Sequence, residues 1–431
     1  MPNIVNVSVT QQVAPAPSTL QQTGAFVSQG ATTLSTGSTA LLTQLSDLTS
    51  ILKGSIAISS MTWSTGVVTV TTSSAHGIPS GDTIQAIITG VTPSGYNGTF
   101  AVTSTGTTTF TYALASNPGS VTVQGAVTYE DVQELVAMAT TFFAQGSGQA
   151  VYVLELGVGT TAQGVTALQA YITNPTIRFY SYLLPATWDS ETTAWTMVNS
   201  YSSPTAETYF YVTTTTATYT NWASKKAVFA TVQSPSAPVT EFSAAAIFYA
   251  TLVYNPNASN LAHPLSFTYV YGVTPYVLTN SLQTTLKAAG VNWIGTGAQG
   301  GISNTIIFWG TFMDLNVFNY WYSVDWTSIN VQLNLANAII NGSNNTANPL
   351  YYNQAGVNTL QKVAQATVNN GVAFGLILSP ATVNAVPFVT YIAQHPGDYA
   401  SGTYNGLSLT FVPARGFEQI TIYLTASNIP S

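Results

Sequence analysis

Residues 150–172 read AVYVLELGVGTTAQGVTALQAYI: an apolar run over Ala150–Leu156, a break at Gly157-Val158-Gly159, and an amphipathic stretch from Thr161 to Ile172. A short segment apolar on both faces, stopped by glycine and followed by helical periodicity, is the pattern of a buried strand feeding a crossover helix. The same alternation continues downstream. Strands are predicted at Ile177–Leu184, Thr208–Thr213 and Ala227–Val232, an Asp-capped helix at Asp189–Tyr201, and a helix from Thr240 to Tyr254. Upstream, Thr128-Tyr129-Glu130-Asp131 predicts a helix start, with Thr128 as cap, the acids at the positive end, and Val132, Leu135, Val136, Ala139, Phe142 and Phe143 on one face. An α/β layer is the expected fold of this region.

Working outward, residues 55–127 change character. Short strands at Val67–Thr72, Thr83–Ile88, Thr99–Thr103, Thr108–Tyr112 and Ser120–Val123 are separated by Gly, Pro, Asn and Ser turns, the pattern of a small β-sandwich or barrel. Helical sequence is expected on both sides of it, Thr39–Leu52 before and Thr128–Phe143 after, so the module reads as an insertion. Beyond residue 265 the expectation is a strand at Leu265–Tyr271, a helix at Ser281–Ala289, a glycine-rich bend at Gly295–Gly301 and a strand at Thr305–Gly310. Long helices are expected at Trp326–Ile340, with Ile329, Leu333, Ala336 and Ile340 on one face, and at Gln354–Asn369, with Val357, Leu360, Val363, Ala364 and Val368 on one face. Terminal strands follow at Leu407–Val412 and Phe417–Thr425, joined through Pro413-Ala414-Arg415-Gly416.

The predicted organisation is an α+β / α/β multidomain chain with mixed sheets flanked by helices, an inserted all-β module and terminal strand arms. Its divisions are an N-terminal arm (1–24), an α/β domain (25–54 and 128–264), the β module (55–127), a C-terminal α/β core domain (265–412) and a C-terminal strand arm (413–431). In the arms, Val5, Val7 and Val9 alternate with small polar residues ahead of Ala14-Pro15-Ala16-Pro17. Ile420, Ile422 and Leu424 alternate with Gln419, Thr421, Tyr423 and Thr425. Two-faced strands at chain ends, lying apart from the remaining sheet-forming sequence, are candidates for pairing with a neighbouring chain.

Composition narrows the function. Only 7 Lys and Arg and 14 Asp and Glu occur in 431 residues, 5% of the chain, whereas 46% is hydrophobic and Ser and Thr carry the surface polarity. A soluble domain ordinarily carries about 25% charged residues. A surface this poor in charge suits packing against copies of itself, although an acid-adapted or extracellular monomer with a Thr-rich β surface fits composition too. The seven cations, Lys53, Arg178, Lys225, Lys226, Lys287, Lys362 and Arg415, cannot make a phosphate-binding patch, so no direct nucleic-acid partner is expected. With no cysteine there is no thiol nucleophile, disulfide framework or zinc-thiolate site. The first cation is Lys53, so no basic segment of a cleaved secretory signal is expected, and the longest apolar stretch, Ala244–Tyr254, is too short for membrane insertion.

Catalytic constellations are sparse, and no catalytic, cofactor-binding or metal residues are expected. Gly295-Thr296-Gly297-Ala298-Gln299-Gly300 matches the dinucleotide fingerprint, but a strand follows where that motif needs a helix. His76 lies in a turn between strands, and His263 and His395 each precede a proline. Glu130, Asp131 and Glu134, and likewise Asp189 with Glu191, fit first-turn positions of helices. Asp314 and Asp325 have no third acid or histidine nearby. Phe308, Trp309, Phe312, Phe318, Tyr320, Trp321, Tyr322 and Trp326 are interleaved with Ile306, Ile307, Leu315 and Val317, which suits a core or interface more than a stacking platform for sugars or bases.

Gly310-Thr311-Phe312-Met313-Asp314, then Trp321-Tyr322-Ser323-Val324-Asp325-Trp326 and a long helix, with Gly290-Val291-Asn292-Trp293 before them, resembles a passage of bacteriophage contractile tail sheath proteins. The module around His76-Gly77-Ile78-Pro79-Ser80-Gly81-Asp82 and Tyr96-Asn97-Gly98-Thr99-Phe100 is similar to a small β domain that recurs in phage tail proteins. The resemblance implies a structural subunit with no enzymatic activity and no cofactor. Such a subunit forms a homo-oligomeric helical sheath around a tail tube protein, meets baseplate and tail terminator proteins, and contracts to drive the tube through the host envelope. It also implies location in the virion tail after assembly in the host cytoplasm, with strand exchange through Val5, Val7, Val9, Ile420, Ile422 and Leu424. Scarce charge departs from the ionic tube contacts usual in that family. The alternatives are a secreted surface-array or glycan-binding adhesin-like protein and a carboxylate-dependent hydrolase.

Overall fold

The computed structural model of the protein describes residues 19–256, 264–299 and 302–418. In chain order its strands are β1 (Gly24–Ser28), β2 (Thr39–Leu42), β3 (Ile56–Ser64), β4 (Val67–Thr72), β5 (Thr83–Thr92), β6 (Gly98–Ser104), β7 (Thr109–Ala113), β8 (Val123–Tyr129), β9 (Val151–Glu155), β10 (Ser181–Leu183), β11 (Tyr209–Thr214), β12 (Val228–Val232), β13 (Asn292–Gln299), β14 (Ile302–Phe308), β15 (Ile377–Ala385) and β16 (Leu407–Pro413). Its α-helices are α1 (Leu45–Thr49), α2 (Glu130–Phe143), α3 (Thr161–Thr173), α4 (Thr192–Met197), α5 (Ser243–Leu252), α6 (Asn280–Ala288), α7 (Phe318–Ser343), α8 (Gln354–Ala373), α9 (Phe388–Gln394) and α10 (Pro396–Ser401). Two compact units result, one containing residues 20–255, 264–299, 302–318 and 415–418, the other residues 319–414.

The first unit is organised on an eight-stranded sheet in the order β14-β13-β12-β11-β10-β1-β9-β2. Its six central strands are parallel, and β2 and β14 add at the two edges antiparallel. Burial on both faces explains why β1, β10 and β12 read as unbroken apolar or small-residue runs. One face carries α3 and α4, whose Val165, Leu168, Tyr171, Ala194 and Met197 join Trp188, Trp222 and Trp293 in one core. On the other, Phe26 meets Phe142 of α2 edge-on at 5.4 Å, and Tyr211 meets Phe248 of α5 at 5.0 Å. Gly24 admits this packing, since a Cβ there would stand 2.6 Å from the Phe248 ring.

Residues 56–129 form a closed barrel, β3-β4-β7-β6-β5-β8, with its own core around Val68, Val70, Ile88, Val102, Phe110 and Tyr96. The predicted strands appear here, with β3 added and the last strand moved from Ser120–Val123 to Val123–Tyr129. Ile56 pairs with Val127, so the chain enters and leaves the barrel side by side. In the second unit α7 and α8 meet through Asn334 Nδ2, which donates to Thr367 Oγ1 at 2.8 Å, and through the Trp326 and Phe374 rings. Gly371 is required at that junction, because a Cβ would meet Ile377 at 2.7 Å and Trp326 at 2.8 Å.

Several expectations are corrected. Thr39–Leu52 is not one helix: Thr39–Leu42 is the edge strand β2, paired with β9, and only Leu45–Thr49 is helical. Sheet pairing overrides helical propensity there. The sheet runs across the expected boundary at 264/265, because β13 pairs with β12. Leu265–Tyr271 forms no regular strand, yet its backbone covers the outer edge of β14 through Phe267 N to Ile307 O, Ile307 N to Thr268 O and Val270 N to Thr305 O. Gly295 and Gly297 lie within β13 rather than in a bend, and a Cβ on Gly297 would stand 2.6 Å from Ile306. Thr128 belongs to β8 and Tyr129 holds the N-cap position of α2. Over Asp189–Tyr201 the chain forms two short 3-10 turns around α4, and Glu191, not Asp189, caps α4. Finally, β16 pairs with β15; the expected pairing with Phe417–Thr425 falls mostly outside the described residues.

Candidate assembly surface

Val5, Val7, Val9, Ile420, Ile422 and Leu424 lie outside the described residues, as does His263. Among the described residues His76 and Asp189 are held by structural hydrogen bonds. His76 is buried, with Nε2 3.2 Å from Thr109 O and Nδ1 accepting from Ile78 N at 3.1 Å. Asp189 accepts from Trp222 Nε1 at 2.7 Å and from Thr218 Oγ1. Among the described residues no three His, Cys, Asp or Glu side chains are placed to hold a metal, and no helix is long and apolar enough to cross a membrane. In the aromatic passage Phe312, Phe318, Trp321, Tyr322 and Trp326 are buried, which is core packing, while Tyr320 faces outward.

Two acidic groups have roles the sequence did not suggest. Glu155, at the end of an otherwise apolar strand, is buried and receives Ser28 Oγ, Thr32 Oγ1, Thr32 N, Gly30 N and Gly157 N at 2.7–3.1 Å. A single carboxylate thereby gathers the ends of β1 and β9. Glu134, read as a helix-dipole residue, accepts from Ala186 N at 2.7 Å. Enclosure by protein pushes its carboxyl up to about 8, with Asp131 adding to the shift, and pushes Asp131 up to about 7, with Glu130 and Glu155 adding to it and Lys53 opposing.

The second unit presents the feature best suited to another chain. Its sheet has two strands, β15 and β16, and an isolated pair is marginal in water without further cover. α8 lies over β15 and bonds its backbone: Gln365 Nε2 donates to Ala381 O at 3.0 Å, Gln365 Oε1 accepts from Val383 N at 2.8 Å, and Gln361 Nε2 donates to Val383 O at 2.9 Å. Exposed apolar side chains accumulate in this unit. Leu378 is 51% exposed, Val412 60% and Ile340, expected on the inward face of its helix, 59%. Neither glutamine stood out in sequence; only their spacing of one helical turn hinted at a shared row.

The chain aligns in structure, at 11% identity, over 99% of its length with 100% of a chain from the cryo-EM baseplate of the anti-feeding prophage, with a TM-score of 0.55. It also aligns over 99% of its length, at 11% identity and a TM-score of 0.53, with 100% of a chain from the helical sheath of that particle in its contracted state. The fold is that of a contractile sheath protein. No protein-family model and no curated protein matches the sequence. Within the sheath fold, the likeness extends over both units and the barrel alike, since almost nothing of either aligned chain is left over.

Proposed function

We propose that the chain is the structural subunit of a phage-type contractile tail sheath, polymerising helically around a tail tube protein and contracting to drive the tube through the host envelope. The observation that carries this reading is the full-length likeness to a chain of a contracted helical sheath. A near-absence of charge agrees with it, because subunits that bury most of their lateral surface against copies have little need of ionic faces. The work is mechanical: globular bodies change their packing while the terminal strands keep neighbours tethered, so no active site is needed.

In this reading the arms are the segments of residues 1–18 and 419–431, narrower than the expected 1–24 and 413–431 because Gly24 lies in β1 and Pro413 in β16, with Val5, Val7 and Val9 and Ile420, Ile422 and Leu424 completing sheets in neighbouring subunits by strand addition. Each backbone hydrogen bond so formed contributes roughly 0.5–1.5 kcal/mol net, and the alternate aliphatics add burial. The barrel is an inserted module at the periphery, consistent with the adjacency of Ile56 and Val127. Baseplate and tail terminator proteins bound the sheath at its ends, and assembly takes place in the host cytoplasm before the particle is complete. Negative-stain microscopy of the purified chain tests the reading: regular tubes or stacked rings support it, and a dispersed monomer at high concentration sinks it.

A further inference from the structure

Four Asn-Gly dipeptides occur in the chain, beginning at Asn97, Asn341, Asn370 and Asn405. Such a pair carries chemistry of its own. With no side chain on the glycine to hinder approach, the glycine amide nitrogen can attack the asparagine Cγ, provided the backbone lets the two atoms meet and that nitrogen is not engaged elsewhere. The fold treats the four pairs differently.

Three of them are closed. Asn97 has both ends of its amide fixed, Oδ1 accepting from Val91 N at 2.8 Å and Nδ2 donating to Val91 O at 2.9 Å. Asn341 and Asn370 lie inside α7 and α8, where the next N–H is committed to the helix ladder and the helical backbone holds Cγ away from it. Asn405 differs: it is exposed, in the loop between α10 and β16, and among the described residues Gly406 N donates no hydrogen bond. The flanks of this peptide are held while its centre is open. Asn405 N donates to Tyr391 Oη at 2.9 Å, and Val386 N donates to Gly406 O at 2.9 Å. The Tyr391 hydroxyl, beside which the Asn405 side chain also stands, gives its one proton to Asp398 Oδ2 at 2.5 Å.

We propose that Asn405-Gly406 is a self-modification site of this protein, and that its conversion loosens the β15–β16 sheet. Gly406 N, giving up its proton, forms a bond to Asn405 Cγ; the Cγ–Nδ2 bond breaks, and the side-chain nitrogen takes up a proton and leaves as ammonia. Water then opens the succinimide at either carbonyl, leaving aspartate or isoaspartate at position 405. Water is the only co-reactant, and nothing is oxidised or reduced. The product does not fit as the amide did. A carboxylate at position 405 has no N–H to offer the Tyr391 hydroxyl, whose proton is already given to Asp398, so two negative charges face a single donor. The isoaspartate form also adds a methylene to the main chain, immediately before the Ala385↔Leu407 pair at the end of the sheet. Only the folded subunit is needed, so the site stands whether or not the chain assembles.

The test is to age the purified full-length protein at mildly alkaline pH, where the attacking nitrogen loses its proton more readily, and to follow each Asn-Gly pair by peptide mass spectrometry. Exchange of NH2 for OH marks the converted chains, and chromatography separates the isoaspartate form. In the folded protein Asn405 is expected to convert roughly tenfold or more faster than Asn97, Asn341 or Asn370, because the fold withholds the attacking geometry from those three. In urea the four are expected to convert at comparable rates. A different leading pair in the folded protein overturns the proposal, as does an equal lead of Asn405 in urea, which assigns the reaction to local sequence. For the consequence, Asn405→Asp carries the product from the start, and Asn405→Gln keeps an amide on a side chain one methylene longer. Hydrogen exchange at Val386 and Leu407 is expected to be roughly threefold or more faster in Asn405→Asp than in Asn405→Gln, with the eight-stranded sheet unchanged. Equal exchange in the two variants overturns the loosening. The ageing series uses the parent chain, so it decides the site even where Asn405→Asp fails to fold.

Discussion

The Glu155 carboxylate accepts the Ser28 hydroxyl at 2.7 Å, joining the ends of two adjacent parallel strands, β1 and β9, below the surface of the sheet unit. Three backbone N–H groups, of Gly30, Thr32 and Gly157, converge on the same carboxylate. Glu155→Ala leaves those donors without partners in a buried site and is expected to cost about 3 kcal/mol or more. Urea denaturation should show a lower midpoint at unchanged slope; a midpoint within a few tenths molar of the parent would contradict this account of the site.

Glu134 gives stability a dependence on pH. Its folded carboxyl is raised to about 8 by burial, well above the value of an unfolded chain, so the folded state holds the proton more tightly. Stability is therefore full below the unfolded value near 4.5 and is lost as pH rises through 8, by an amount on the order of 1 kcal/mol for this group after allowance for its remaining solvent contact. Asp131, raised to about 7, acts in the same direction. Glu134→Gln keeps an acceptor for Ala186 N and should flatten the decline in melting temperature between pH 5 and about 8. An equally steep decline in that variant would assign the dependence to other groups.

Gln365 tests how the β15 edge is held. Gln365→Leu leaves Val383 N–H and Ala381 O without their side-chain partner while keeping the bulk beside α8. The expected loss is roughly 1–3 kcal/mol, confined to the second unit. Hydrogen exchange should accelerate at Val383 with the strands of the eight-stranded sheet unaffected, and uniform acceleration throughout the chain would argue against a local clamp.

The barrel should be dispensable for folding. Its ends meet at the Ile56–Val127 pair and its core is self-contained. Deleting residues 56–127 with a short Gly/Ser bridge is expected to leave a soluble chain with the near-ultraviolet signal of the tryptophans outside the barrel intact and assembly unimpaired. Insoluble product would place the barrel in the main folding core, which Val132 and Val158 touch from outside.

Much of this was readable in the residues, and the failures have common causes. The apolar run at Ala150–Leu156 gave β9 because a strand buried on both faces needs continuous hydrophobicity, and the barrel strands followed from period-two alternation between turns. β1 was not anticipated: Gly24-Ala25-Phe26-Val27-Ser28 is five residues long, and its place at the sheet centre is decided by partners more than a hundred residues away. Thr39–Leu42 looked helical for the same reason, since pairing with β9 is invisible locally. The apolar alternation expected of the two arms falls outside the described residues, and the closed β15 edge was not legible. It depends on two glutamines one helical turn apart meeting a strand that begins four residues after α8 ends.

The arms carry the account of assembly. If the proposed strand exchange holds, removing residues 1–20, or placing proline at Ile422, is expected to leave a folded monomer with the parent's circular dichroism that does not polymerise. Ordered tubes from either variant at the parent's concentration would refute strand exchange, and an unfolded product would make the segment an internal strand.

Direct imaging of the purified full-length chain bears on the central claim more than any substitution does. At concentrations of milligrams per millilitre, negative-stain and then cryo-electron microscopy should show hollow tubes or stacked rings with a regular axial repeat, built from copies of this one subunit. A uniform population of 45.4 kDa monomers under the same conditions would contradict the claim that this chain is a sheath subunit.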